Sequence, residues 1–361
     1  MPTTEPTSQS DNESHSQRAY YAWIGAILFA IGFTVLISGL SPSLGRFPHL
    51  PDQGPEWYYW KLPTGIPLDQ VIVWTFYLVH QFALWGAIYW AQKNLKDVIV
   101  RRNSGLTRYN YAAFSINTIF IALHLVQTHI WYDGLAQTVP IWTSQGSVIV
   151  MLVFILIIEH PRRGLFLGRK INRPISAQVS GFFRRNHSYV FSWAVVYTFW
   201  FHPMDGDAQL LSGFFYMFLL FTQINLAYTK IHLDRRWIIS LESFVAVHAL
   251  VVAYFNTVVH GSPDMWPMFL SGFVFMFVFT YIYALDVKRE VYAAVTILYI
   301  LFITWIYLPA PFGYGRSLLN LFRLEMLWIP IILYGLAIVI AGATSLYIKR
   351  VKPSTQPENG N

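Results

Sequence analysis

Eleven histidines and 18 acidic residues stand in a chain that contains no cysteine. Disulfides, zinc-thiolate sites, iron–sulfur clusters and cysteine nucleophiles are therefore excluded. Imidazole and carboxylate remain, the groups that bind divalent metals and exchange protons near neutral pH. His129 is followed by Asp133, His202 by Asp205 and Asp207, and His260 by Asp264. His129/Asp133 and His260/Asp264 are spaced i,i+4, so on a continuing helix each pair would share a face. Three imidazoles with carboxylates and an open position suit zinc, iron, copper or manganese, with His129, His202 and His260 as metal ligands. Asp133, Asp205, Asp207 and Asp264 would then orient the rings or act as acid and base. The plainer alternative is that each residue caps a helix end, where a polar head meets water. No compact signature such as H-E-x-x-H decides between the two.

His80, His124 and His248 lie instead within apolar sequence, where ionisable residues usually face a bundle interior or a polar cavity. Each could be a neutral, hydrogen-bonded core group, a proton carrier or a contact to substrate, and His124 and His248 join the acid/base candidates. Stacked haems would need two helices whose histidines match in depth at both levels; only His202 and His260 match, which argues against haem. Glu242 and the run Glu159-His160-Pro161-Arg162-Arg163 read as structural groups at helix ends. Failing that, they would form an anion site, since Arg offers bidentate recognition of phosphate.

The elements that must position these groups are overwhelmingly apolar. Hydrophobic residues make up 55% of the chain and aromatics 18%; only 12% is charged, against about 25% in an ordinary globular domain. Apolar runs of about 20 residues, enough to cross the hydrocarbon layer, recur over 20–40, 69–91, 111–131, 143–159, 188–202, 208–229, 237–259, 265–285, 291–308 and 324–347. The expected fold is an all-α, polytopic membrane bundle of about ten helices. It forms one transmembrane domain over 18–348, between a disordered cytosolic tail over 1–17 and a second tail over 349–361.

Lys and Arg crowd the connections 92–110, 160–187, 230–236 and 286–290 and the C-terminal tail, whereas 132–142, 203–207 and 260–264 contain none. By the positive-inside rule both termini are then cytoplasmic, and His129, His202 and His260 fall at the outer edge. The net charge of +7 is accounted for by contact with anionic lipid headgroups rather than nucleic acid. The connection 41–68 holds six prolines and Trp57-Tyr58-Tyr59-Trp60, a stiff aromatic loop suited to lie at the membrane surface as a lid or anchor. Residues 170–186 mix apolar and basic side chains and read as an interfacial amphipathic stretch.

Ser212-Gly213-Phe214-Phe215-Tyr216-Met217-Phe218 and Ser271-Gly272-Phe273-Val274-Phe275-Met276-Phe277 match as S-G-F-x-[FY]-M-F, each after a helix that ends in histidine. A fainter copy runs from His129 to Gly146. The pattern is a parallel repeat of a helical hairpin over the fifth and sixth spans and the seventh and eighth, with the third and fourth as a weaker member.

No lysine lies inside a span, which excludes a retinal Schiff base, and the histidine boxes of membrane desaturases are missing. Walker A, G-x-S-x-G and G-x-G-x-x-G are also absent, which argues against an ATPase, a serine hydrolase and a nucleotide-binding reductase. The first expectation is a membrane-embedded enzyme acting on a lipophilic or membrane-delivered substrate at the outward His/Asp site, with a divalent metal as cofactor. The second is a proton-coupled transporter or channel that uses His80, His124 and His248. The third is a structural or sensory subunit that packs against partner membrane subunits.

Overall fold

The computed structural model describes residues 7–49, 59–95, 105–258 and 265–351. Among these the fold is helical, with no strand beyond an isolated bridge between Phe166 and Arg169. The helices are α1 (Thr7–Leu40), α2 (Pro67–Asn94), α3 (Arg108–Trp131), α4 (Ile141–Arg163), α5 (Ala177–Phe201), α6 (Ala208–Asn225), α7 (Arg235–Val258), α8 (Trp266–Phe279), α9 (Arg289–Tyr307), α10 (Leu318–Phe322) and α11 (Trp328–Val351). Helix α1 begins at Thr7, inside the stretch expected as a polar tail.

Eight described helices are long and apolar enough to cross a membrane, and the chain is a multi-pass membrane protein. The eight are α1 to α4, α7 to α9 and α11. Helices α5 and α6, where the fifth and sixth spans are expected, are not among them. Arg184, Arg185, Asn186 and His187 occupy the first half of α5, and Gln209, Gln223 and Asn225 sit near the ends of α6. Large apolar side chains on the spanning helices face outward, Leu28 and Val35 on α1, Leu298 and Leu301 on α9, and Val339 on α11 among them. That is the surface lipid would cover.

The chain divides into two compact units, residues 1–148 with 188–266 and residues 149–187 with 267–361. In the first unit α6 is the central helix, packing on α1, α3 and α7, while α2 packs on α3. Central placement explains how α6 keeps its polar ends: each finds a hydrogen-bond partner inside the unit. Gln209 donates to the Tyr59 hydroxyl at 3.0 Å, Gln223 joins the His232 carbonyl and the Trp237 indole, and Asn225 joins α3. Asp207 caps the start of α6 by accepting from the Gln209 N–H at 2.8 Å.

In the second unit the chain turns tightly after α4, through Gly164 and Gly168 at positive φ. Ile175, Val179 and Phe183 from the stretch expected at the membrane interface are buried, Phe183 against Phe154. From residue 177 that stretch is the first part of α5, held by Ser180 Oγ on the Ile157 carbonyl at 3.0 Å. Burying three large apolar side chains in the unit stabilises it more than leaving them at a polar surface.

The two copies of the Ser-Gly motif do the same local work in the two units. Each serine hydroxyl hydrogen-bonds the carbonyl three residues earlier, Gln209 for Ser212 and Met268 for Ser271. Each glycine admits a neighbouring side chain: an added Cβ would lie 3.1 Å from His248 at Gly213 and 2.9 Å from Ile329 at Gly272.

Candidate functional site

Helix α3 carries Asn110, Asn117 and His124 at intervals of seven residues. Seven residues is nearly two helical turns, so the three form one stripe, and all three are buried. Hydrogen bonds extend the stripe into the neighbouring helices. Asn110 donates to the Asn225 and Ala227 carbonyls, and Asn117 donates to Asn225 Oδ1 at 2.5 Å. Asn117 Oδ1 lies 2.8 Å from His80 Nε2, and the Trp200 indole N–H reaches His80 Nδ1 at 3.2 Å. An indole can only donate, so His80 Nδ1 is an acceptor and Nε2 carries the proton. Trp200, His80 and Asn117 thus donate in one direction along a row that ends on Asn225, an arrangement in which each bond polarises the next.

Trp200 also packs against His124, with ring centroids 4.4 Å apart. From His124 a second hydrogen-bonded set begins. Nδ1 is 2.9 Å from Gln127 Oε1, and Nε2 is 2.8 Å from the His202 carbonyl. Gln127 Nε2 donates both its protons, to Asp69 Oδ1 and to the Asp133 carbonyl, each at 2.7 Å. Asp69, on the first turn of α2, is fully buried, and its Oδ2 has no partner among the described residues.

Asp133, Asp205 and Asp207 of the expected catalytic set hold loops. Helix α3 ends at Trp131 and Tyr132 takes φ 80°. The chain therefore turns, and the i,i+4 face expected for His129 and Asp133 does not form; the Asp133 carboxylate accepts instead from Leu62 N and Gln137. Burial pushes the Asp133 carboxyl up to about 6, against the opposing effect of those donors. Asp205 accepts from Ser41 Oγ at 2.5 Å and Tyr132 OH at 2.9 Å, fastening the turn after α5 to the end of α1. Burial raises the Tyr132 phenol well above its ordinary range, and Asp205 adds to the rise. Asp207, besides capping α6, bonds the Tyr59 hydroxyl. Tyr59, Trp60 and Leu62 thus tie the end of the proline-rich connection to this region, with Trp60 packed on Phe201 and His202.

The expected metal cluster is withdrawn for the described residues, which hold no group of three His, Asp or Glu able to bind a metal ion. His129 Nδ1 bonds the Leu125 carbonyl and His202 Nδ1 the Thr198 carbonyl, each on its own helix. His129 Nε2 is buried without a partner among the described residues, and the His129 main-chain carbonyl accepts from Arg46. His260 and Asp264 lie outside the described residues. His248 does not join the row on α3; its Nδ1 is 2.9 Å from Ser212 Oγ.

Five members of the polar row, Asp69, Asn110, Asn117, Gln127 and Asn225, escape a reading centred on His and Asp at helix ends. Their signal is the heptad spacing of Asn, Asn and His through an apolar helix, together with an aspartate just after the proline that opens α2. No protein-family model, curated protein or solved structure matches this chain.

Proposed function

We propose that the protein is a proton-coupled transporter or channel whose proton-handling groups lie on and around α3. One observation carries this reading: the buried row from Asn225 through His80 and Trp200 to His124, Gln127 and Asp69. Ionisable groups inside membrane-spanning helices are costly and mark ion or proton pathways. The proposal takes α5 and α6 as crossing the membrane too, giving ten spans with both termini cytoplasmic, in keeping with the alternation of Lys and Arg along the connections. The shared local roles of Ser212-Gly213 and Ser271-Gly272 support the repeated hairpin. Reconstituted in proteoliposomes under an imposed membrane potential, the wild type moves protons into a pH-sensitive lumen, and His124→Ala slows this at least about tenfold. A wild-type rate equal to that of empty liposomes, or an unchanged rate in the variant, overturns the reading.

A membrane-embedded enzyme acting on a lipophilic substrate is the second reading, favoured by the contact of Ser212 Oγ with His248 Nδ1. A hydroxyl within reach of an imidazole becomes an activated nucleophile once its proton turns from the Gln209 carbonyl to His248 Nδ1. It predicts that a fluorophosphonate probe labels Ser212 and that His248→Ala abolishes the labelling; no labelling of wild type at Ser212 removes it.

A further inference from the structure

The proton-coupled reading leaves open where a proton resides, and donor–acceptor geometry around His124 answers it. The Asp133 carbonyl can only accept, so the Gln127 amide that faces it must be the NH2 end. Gln127 Oε1 is thereby fixed toward His124 Nδ1. The His202 carbonyl, equally unable to donate, faces His124 Nε2. Both ring nitrogens therefore look at acceptors. A neutral imidazole has one N–H and one lone pair, and the lone pair would meet an oxygen lone pair in a dry site. Only the imidazolium, with two N–H groups, satisfies both neighbours.

The alternative position for the proton is Asp69, and it is poorer. Asp69 Oδ1 already accepts from Gln127, and Oδ2 has no hydrogen-bond partner among the described residues. Helix ends favour the same charge distribution. Asp69 sits on the first turn of α2, where free N–H groups and the helix dipole stabilise an anion. His124 sits against the main chain of Phe199 and His202 at the C-terminal end of α5, where free carbonyls stabilise a cation. The other titratable groups facing this site are His80 from α2, His202 from the end of α5 and Asp133 from the turn after α3. His80 is fixed as a neutral ring by the Trp200 donor. From α6 the packed group is the uncharged Phe214 ring.

We infer that His124 and Asp69 form a buried charge pair bridged by Gln127, with the transported proton held on His124 as imidazolium and Asp69 as its fixed counter-anion. This rests on the proton-coupled reading for the word transported and on geometry alone for the charge state.

The test uses the full-length protein in lipid nanodiscs, labelled only at histidine with 15N and 13C, and read by NMR at pH 7.5. His124 is assigned from the contact of its Nε2 with a histidine carbonyl, that of His202, at 2.8 Å, and the assignment is checked by loss of the signal in His124→Ala. The expected spectrum has both His124 nitrogens protonated, while Asp69→Asn lowers the His124 midpoint by at least about 1 pH unit. One bare nitrogen on His124 in the wild type, or an unmoved midpoint in Asp69→Asn, overturns the inference. The flux assay fails separately: an imidazolium at His124 in a protein that moves no protons sustains the charge pair and overturns the transport reading. Flux with a neutral His124 does the reverse.

Discussion

His80 and His124 both contact one tryptophan, Trp200, both are fully buried, both lie in helices long and apolar enough to cross a membrane, and they are not equivalent. His80 faces one donor and one acceptor, so the neutral ring satisfies it completely. His124 faces two acceptors. The difference does not come from burial, which is the same, or from residue type. It comes from a single neighbouring atom: an indole N–H at one ring, a carbonyl oxygen at the other. Two buried histidines can therefore differ in the hydrogen bonds asked of them although both lie in apolar sequence.

The largest expected effect breaks the His80 side of this comparison. Asn117→Ala leaves the His80 Nε2–H and Asn225 Oδ1 without partners. Each such group costs about 1–3 kcal/mol, somewhat less where a membrane-embedded unfolded state finds other partners. The purified protein should unfold at lower temperature or less denaturant by an amount equivalent to about 2–4 kcal/mol. A loss under about 0.5 kcal/mol would show that the row on α3 does not hold the helices together.

A smaller effect sharpens the His124 side. Asp133 anchors the loop whose carbonyl orients Gln127, and its carboxyl titrates near 6 in the folded protein against 3.8 when free. The folded state therefore keeps this proton where the unfolded chain has lost it. Stability is full below about pH 4 and falls as pH rises toward about 6, by at most about 3 kcal/mol at 1.4 kcal/mol per unit. Denaturation midpoints measured from pH 4 to pH 7 should decline and level off, and Asp133→Asn should flatten the curve. Stability that rises with pH across this window through Asp133 would reverse the assignment.

What could be read along the chain was local and statistical. Eight of the ten expected apolar runs lie on helices long and apolar enough to cross a membrane; the fifth and sixth, on α5 and α6, do not. Of the candidate site, His124 stands out as an ionisable residue in apolar sequence, whereas the partners of the aspartates beside His129 and His202 are not legible there. Asp133, Asp205 and Asp207 bond Leu62, Ser41 and Tyr59, residues 71, 164 and about 150 positions away. Spacing along a helix says nothing about such partners once the helix has ended, as α3 does at Trp131.

Composition and hydropathy alone determined that this chain is helical and built for a membrane, since a bilayer leaves the backbone few ways to satisfy its own hydrogen bonds. They also excluded thiol chemistry, there being no cysteine. Only the tertiary structure decided which histidine meets a donor and which meets acceptors. That choice depends on Trp200, Gln127 and the His202 carbonyl converging from different helices within hydrogen-bond distance, a matter of ångströms that the order of residues along one helix does not encode.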